Sequence, residues 1–279
     1  MTEVLRYAAF TAAGRGGNPA GVVLDARGLS DAEMLAIAAE VGYSETAFLT
    51  EPLGEDHYRV RYFAPRQEIP FCGHATIATG VALAERGAGE SLAFETNAGE
   101  VAVRTSAAHG EVTAELTSVA PSVEPAEPAL VEAALEALRW SSEDLDPRYP
   151  LAVADAGARH LILVTRTRER LADLDYDFDA LAALMQEHEL VTLQLVWPES
   201  ADRYHARNPF PPGGVVEDPA TGAAAAALGG YLREHGLIGE DATFIISQGV
   251  DMGRPSELTV RLVADEPGVR VSGAAHPIA

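Results

Sequence analysis

The strongest constraint on the fold of this 279-residue chain is that it repeats itself. The segment CGHATIATGVALAERG runs from Cys72 to Gly87, and TGAAAAALGGYLREHG runs from Thr221 to Gly236. At an offset of 149 they pair Gly73 with Gly222, Ala75 with Ala224, Ala78 with Ala227, Gly80 with Gly229, Leu83 with Leu232, Glu85 with Glu234 and Gly87 with Gly236. An alanine-rich helix produces a few such identities by composition, but three paired glycines need another cause. The register continues downstream. Phe94 and Gly99 match Phe244 and Gly249 at offset 150, and Glu100, Val103, Arg104, Ala107 and Val112 match Glu257, Val260, Arg261, Ala264 and Val269 at offset 157. An insertion around Met252–Ser256 absorbs the slip. Internal repetition at this length implies two homologous halves.

The hydrophobic pattern fills each half with the same α/β elements. Strands are predicted over 20–25, 44–50, 57–63, 91–96, 100–105 and 111–117. A helix follows the S-x-x-E box of Ser30 and Glu33 as far as Glu40, and another follows Cys72. The second half predicts strands at 160–165, 190–196, 243–247, 257–264 and 268–273, with helices at 178–188 and 221–235. Pro121, Pro125 and Pro128 punctuate the connection, which continues through a helix at 129–139. The boundary falls near residue 120: a first half of 1–120 and a second of 121–279, whose C-terminal tail is able to return to the first.

Charge and composition remove several function classes. All 20 basic residues are arginine, against 42 acidic ones, for a net charge of −22. Without lysine there is no Schiff base for pyridoxal phosphate and no P-loop lysine for a nucleotide. So acidic a surface repels nucleic acid and anionic membranes. No run approaches the ~20 apolar residues of a membrane span. No apolar N-terminal stretch is long enough for a secretion signal, so a cytoplasmic protein is expected. The single cysteine, Cys72, precludes an intrachain disulfide and a four-cysteine zinc site. The eight histidines show no metal-binding spacing, with His160 and His188 placed at the surface or at strand ends, so no metal is expected. No G-x-G-x-x-G turn cradles a dinucleotide, and no cofactor is expected.

A handful of residues carry chemical potential. Gly73 and Gly222 open the repeated helices, where free N–H groups and a partial positive charge attract anions. They suit a carboxylate held from two sides of an interdomain cleft, and equally suit close helix–strand packing. Glu45 shares a strand face with Ala47 and Leu49, and apolar company raises a carboxyl pKa toward the range of a general acid/base. The opposing reading is an exposed edge glutamate. His74 is placed to donate to a substrate carbonyl or carboxylate, or to act as a structural histidine. Asp218 is either a helix cap or a ligand for an amine or hydroxyl. Cys72 faces Thr221 in the repeat, and a threonine cannot replace the second thiolate of a two-thiol racemase. A Cys72–His74 nucleophilic pair is rejected because residues two apart on a helix do not face each other. That leaves Cys72 as a small buried hydrophobe.

Five motifs occur in order: Asn18-Pro19-Ala20-Gly21-Val22, Ser44-Glu45-Thr46-Ala47-Phe48, Phe71-Cys72-Gly73-His74-Ala75-Thr76, Glu217-Asp218-Pro219-Ala220-Thr221-Gly222, and Gln248-Gly249 with Met252–Ser256. Across essentially the whole chain they resemble the PhzF-like isomerase family of phenazine biosynthesis. The resemblance implies the diaminopimelate epimerase-like fold, an α/β (α+β) architecture of two halves, each a curved mixed sheet wrapped around a central helix. It also implies cofactor-independent acid/base catalysis, in which Glu45 moves a proton while His74 and Asp218 orient the substrate. Gly73 with the Gly222–Ala223 backbone would hold the carboxylate of a small anionic metabolite, with Asn18, Cys72 and Thr221 lining the site. Ala223 stands where the family often carries serine, so one hydroxyl donor is missing from the implied ligand site while the backbone N–H remains. A homodimer is implied. The alternatives are a racemase, epimerase or dehydratase using Cys72, and a non-catalytic metabolite-binding protein of the same fold.

Overall fold

A computed structural model describes residues 2–108 and 110–279. It divides into two compact units, one ending at Thr117 and completed by Ser272–Ala279, the other running from Ser118 to Val271.

In the first unit, strand Leu5–Ala9 lies antiparallel to Asn18–Val23. Helix α1 (Asp31–Val41) then crosses over, so that Glu45–Gly54 runs parallel to Asn18–Val23. The predicted capping box starts α1, with Ser30 Oγ accepting from the Glu33 N–H and Glu33 receiving the Ser30 N–H. A hairpin leads to His57–Ala64 and the short strand Gln67–Ile69. Helix α2 (Gly73–Ala84) makes the second crossover to Ser91–Thr96, parallel to His57–Ala64. Strands Gly99–Ala108 and Glu111–Thr117 continue as a meander. The last strand, Arg270–Pro277, pairs with both Glu111–Thr117 and Leu5–Ala9 and closes a barrel. Every residue of α2 from His74 to Leu83 is buried. A helix apolar on all sides belongs inside a core, and α2 fills this barrel. On the outer face, Met34 and Ala38 of α1 pack on Val23, Phe48 and Phe63.

The second unit follows the same order of pairings. After strand Ser122–Pro125 and helix α3 (Pro128–Leu138), Ala152–Asp155 and Arg159–Val164 form a hairpin. Helices α4 (Arg168–Ala172) and α5 (Phe178–Glu187) cross to Thr192–Pro198, parallel to Arg159–Val164. Arg203–Phe210 turns back antiparallel and is joined by the short strand Val215–Asp218. Helix α6 (Gly222–Glu234) then crosses to Ala242–Gln248, parallel to Arg203–Phe210, and Ser256–Leu262 returns antiparallel. Helix α6 is buried from Ala224 to Leu232, the counterpart of α2. Leucines 161, 163, 193 and 195 point outward to α3 and α5, so the alternate residues face α6.

The paired glycines inside the two central helices have a packing cause. A Cβ on Gly80 would lie 3.0 Å from Val103 Cγ1, and one on Gly229 would lie 2.9 Å from Val269 Cγ1 and 3.1 Å from Val260 Cγ1. Val103 and Val260 are themselves repeat partners, so the same contact is built twice.

Several strands escape the sequence pattern. Arg203–Phe210 (RYHARNPF) lacks apolar alternation and contains proline, yet strands flank it on both sides. Its register slips between Pro209 and Phe210, the irregularity that a proline in a strand requires. His160 corrects another expectation. It lies at the start of its strand, one of the two expected placements, but is fully buried inside the second unit rather than at the surface, with Nδ1 2.8 Å from Thr192 Oγ1.

Candidate active site

The first cluster forms where three elements of the first unit begin. Register places Ala20 beside Glu45, so the starts of their parallel strands lie together. Helix α2 begins at the same edge, with Cys72 as its N-cap and His74 in its first turn. Thr76 Oγ1 donates to the Cys72 carbonyl and contacts the buried Tyr62 hydroxyl at 2.7 Å, which anchors the helix start. Burial pushes the Tyr62 phenol above its usual range, so it stays protonated.

His74 is the hub of this cluster. Its Nε2 lies 3.4 Å from Glu45 Oε2 and 3.5 Å from Ser44 Oγ, while Asn18 Nδ2 approaches Nδ1 at 3.3 Å. An Asn18 amide donating to Nδ1 puts the ring proton on Nε2, aimed at the Glu45 carboxylate. The side chains are 9% exposed for His74 and 16% for Glu45, so the carboxylate is recessed but within reach of a small molecule. Its neighbours are a histidine and a thiol rather than the apolar face expected, because Glu45 is the first residue of its strand and projects past the core.

Cys72 departs most from the sequence reading. Its Sγ lies 3.4 Å from His74 Nδ1 and 3.6 Å from Glu45 Oε2. The rejection of a Cys72–His74 contact assumed that both residues are helical. Cys72 is the N-cap, with extended backbone at φ −143° and ψ 114°, and this turns its side chain across the helix start. Cys72 is buried but polar in its contacts. Gly73 is also informative: a Cβ there would meet nothing closer than 4.0 Å, so packing does not explain this glycine.

The second cluster forms at the start of α6, in the second unit. Thr221 is its N-cap, in the place of Cys72, and Thr221 Oγ1 donates to Asp218 Oδ2 at 2.6 Å. The Gln248 side chain braces this turn, accepting from the Thr221 N–H at 3.2 Å and donating to the Asp218 carbonyl at 2.8 Å. Asn208 pairs in register with Asp218, and its Nδ2 donates to Thr192 Oγ1 and Gln194 Oε1. Burial holds the neighbouring His160 neutral, with its pKa pulled down to about 4.

Behind each helix start stands the same ion pair. Arg61 donates through Nε and NH2 to the two carboxylate oxygens of Glu68. Arg207 does so to Glu217 with the same atoms, at 3.0 and 2.6 Å. Arg61 NH1 reaches Asp31 at the start of α1, and Arg207 NH1 reaches the Ala172 carbonyl at the end of α4. In register, Phe63 opposes Glu68 and Pro209 opposes Glu217, so the two hairpins correspond at this pair, the second having a longer turn and a register shift beyond it. The sequence signal for this is the 149 offset carried four residues upstream, where Glu68 matches Glu217 and Pro70 matches Pro219. Ser44, Glu217 and Gln248 stand in the motifs without a role read for them, and Arg61, Glu68 and Arg207 lie outside the motifs.

A family profile described as phenazine biosynthesis-like protein matches residues 7–279. An uncharacterized isomerase of Deinococcus radiodurans is 37% identical over 269 residues, covering 94% of this chain and 87% of its own. The trans-2,3-dihydro-3-hydroxyanthranilate isomerase of Pseudomonas chlororaphis is 33% identical, covering 91% and 87%. Among solved structures, a phenazine biosynthesis protein of the PhzF family from Bacillus anthracis superposes with a TM-score of 0.88 at 27% identity, covering 99% of this chain and 96% of that one. A probable proline racemase from Agrobacterium radiobacter shares the fold at a TM-score of 0.66 and 16% identity, covering 100% and 92%. Among the described residues no helix is long and apolar enough to cross a membrane.

Proposed function

We infer a mechanism from the premise that the chain belongs to the PhzF family of phenazine biosynthesis-like proteins and is an isomerase like its named relatives. In this reading Glu45 takes a proton from one carbon of a small carboxylate-bearing metabolite and returns it at another, without a cofactor. The observation that carries it is the 3.4 Å contact between Glu45 Oε2 and His74 Nε2, on side chains that are recessed yet not sealed. The imidazole N–H steadies the carboxylate, Asn18 and Ser44 hold the ring, and the second carboxylate oxygen is offered to the substrate. The backbone at Gly73, where no packing demands glycine, binds the substrate carboxylate. Within the second unit, Asp218, Thr221, Gly222 and Ala223 at the start of α6 are proposed as polar ligand-binding residues. The working form is proposed to be a cytoplasmic homodimer, which light scattering tests.

A positioned acid/base contributes about 10²–10⁴-fold to rate. Glu45→Gln should fold normally and lose substrate-dependent deuterium uptake from heavy water by that factor. Retention of uptake overturns the reading. A second reading, thiol-based racemisation or epimerisation, draws support from the Cys72 contacts to His74 and Glu45. It predicts the reverse pattern, with exchange abolished in Cys72→Ala and surviving in Glu45→Gln.

A further inference from the structure

The structure assigns to Glu45, Cys72 and His74 a second capacity: we propose that they form a three-ligand site for a thiophilic divalent cation of the Zn²⁺ class, whose binding silences the proton-transfer site. One donor atom from each residue falls within 4.8 Å of the others. The separations are more telling than the proximity. Zinc bonds of ~2.3 Å to sulfur and ~2.0–2.1 Å to nitrogen and oxygen, at tetrahedral angles, place the donors about 3.3–3.6 Å apart. Here Nε2–Oε2 is 3.4 Å, Sγ–Oε2 is 3.6 Å and Sγ–Nε2 is 3.9 Å. Two edges of the tetrahedral face are already at the required length; Sγ lies nearer Nδ1, at 3.4 Å, than Nε2, so the imidazole must turn about its Cβ–Cγ bond to direct Nε2 at the ion.

The donor chemistry matches as well. A thiolate, an imidazole and a carboxylate suit zinc, and three protein ligands leave a fourth position for water. Binding is balanced in atoms and charge: the Cys72 thiol releases one proton to solvent, while imidazole and carboxylate contribute lone pairs. The cation's two positive charges are met by one thiolate and one carboxylate. For Nε2 to ligate, the ring proton moves to Nδ1, where the Asn18 amide, 3.3 Å away, turns its oxygen to accept it. A metal-bound histidine ordinarily has such a partner on its other nitrogen. The three donors are already gathered without the cation, so binding reorients mainly the imidazole.

The other donor cluster among the described residues, His57, Glu95 and Glu100, lies nearer solvent and has no sulfur, which makes it the internal control. That the cation silences turnover rests on Glu45 being the proton carrier. That it binds rests on geometry alone.

The experiment titrates chelator-treated full-length protein with Co²⁺ and Zn²⁺. Expected are one ion per chain at this site, a sulfur-to-cobalt charge-transfer band, one proton released per ion, and an affinity that falls with decreasing pH. Cys72→Ser should abolish the band and weaken Zn²⁺ binding by more than the ~10–100-fold that follows loss of an outer-shell partner. His57→Ala should leave the band unchanged. Absence of the band in wild-type protein, or a Zn²⁺ affinity indifferent to Cys72→Ser and lowered by His57→Ala, overturns the proposal. The band and proton count are read on wild-type protein, so a poorly folding variant does not shelter it. Deuterium exchange in the metal-free protein separates the two readings. Zinc binding without exchange overturns only the isomerase mechanism, and exchange without zinc binding overturns only this inference.

Discussion

Two arginine–glutamate pairs joined through the same atoms, but buried to different depths, form a comparison built into one molecule. Arg207 and Glu217 have side chains 10% and 3% exposed, whereas those of Arg61 and Glu68 are 20% and 27% exposed. Glu217→Gln removes the charge and leaves one acceptor oxygen where the guanidinium presents two donors. The guanidinium is then buried against the Ala172 carbonyl with no counter-charge. Removing one partner of a buried pair costs about 3–5 kcal/mol, while solvated pairs contribute about 0–1 kcal/mol. The expected losses are therefore about 3 kcal/mol for Glu217→Gln and about 1 kcal/mol for Glu68→Gln. Urea denaturation reads both from the shift in midpoint at unchanged slope. Because the penalty is a stranded charge, the double variant Arg207→Met/Glu217→Leu should recover most of the stability lost in Glu217→Gln. Equal losses for the two single variants, or a double variant no more stable than Glu217→Gln, would refute the reasoning.

Three further stability predictions concern His160, two arginine-paired carboxylates and the repeated glycines. His160 has a folded pKa of about 4 against an ordinary 6.5, because burial disfavours its charged form. Between those values the unfolded chain takes up a proton that the folded chain refuses, so stability falls by roughly 3 kcal/mol as pH drops from 6.5 to 4. Thermal melting against pH should show this slope in the wild type and lose it in His160→Gln, and a slope that persists in the variant excludes His160 as its source. Glu68 and Asp146, held below the usual carboxylate range by hydrogen bonds from Arg61 and Arg148, lose their contributions at lower pH, below about 4.5. Gly229→Ala drives a methyl group to 2.9 Å from Val269, an overpacking that costs about 1–3 kcal/mol and lowers the melting temperature. Gly80→Ala should behave alike, with Val103 at 3.0 Å, and a neutral result at either site removes the packing account of the repeat.

The repeat made most of the architecture legible because it samples each element twice. A helix proposed after Cys72 gains weight from one proposed after Thr221, and both central helices form, at Gly73–Ala84 and Gly222–Glu234. Elements whose sequence reports their neighbours rather than themselves stayed hidden. Strand Ala152–Asp155 is too short to show alternation, and Arg203–Phe210 is held in line by strands on each side. Motif order pointed to Glu45 and His74, but the thiol between them was misjudged by one backbone angle. Whether Cys72 counts as the last loop residue or the first helical one decides which way its side chain turns, and spacing alone does not encode that.

The corresponding hairpins explain why the two clusters differ in chemistry on a common frame. In each unit an arginine on the longer strand clamps a glutamate on the short strand that leads, through a proline, to the N-cap of the buried helix. The clamp fixes where the helix begins, and therefore where the N-cap side chain and the first free N–H groups point. With that geometry set from behind, the N-cap position itself can vary. One unit carries Cys72 beside a histidine and a glutamate; the other carries Thr221 bonded to Asp218 and braced by Gln248. A thiolate-pairing chemistry needs the same residue at both N-caps, and this chain has Cys72 at one and Thr221 at the other, with the clamp present on both sides. The asymmetry at the caps, on a symmetric frame, supports the proposal that proton transfer runs through Glu45 rather than through a pair of cysteines.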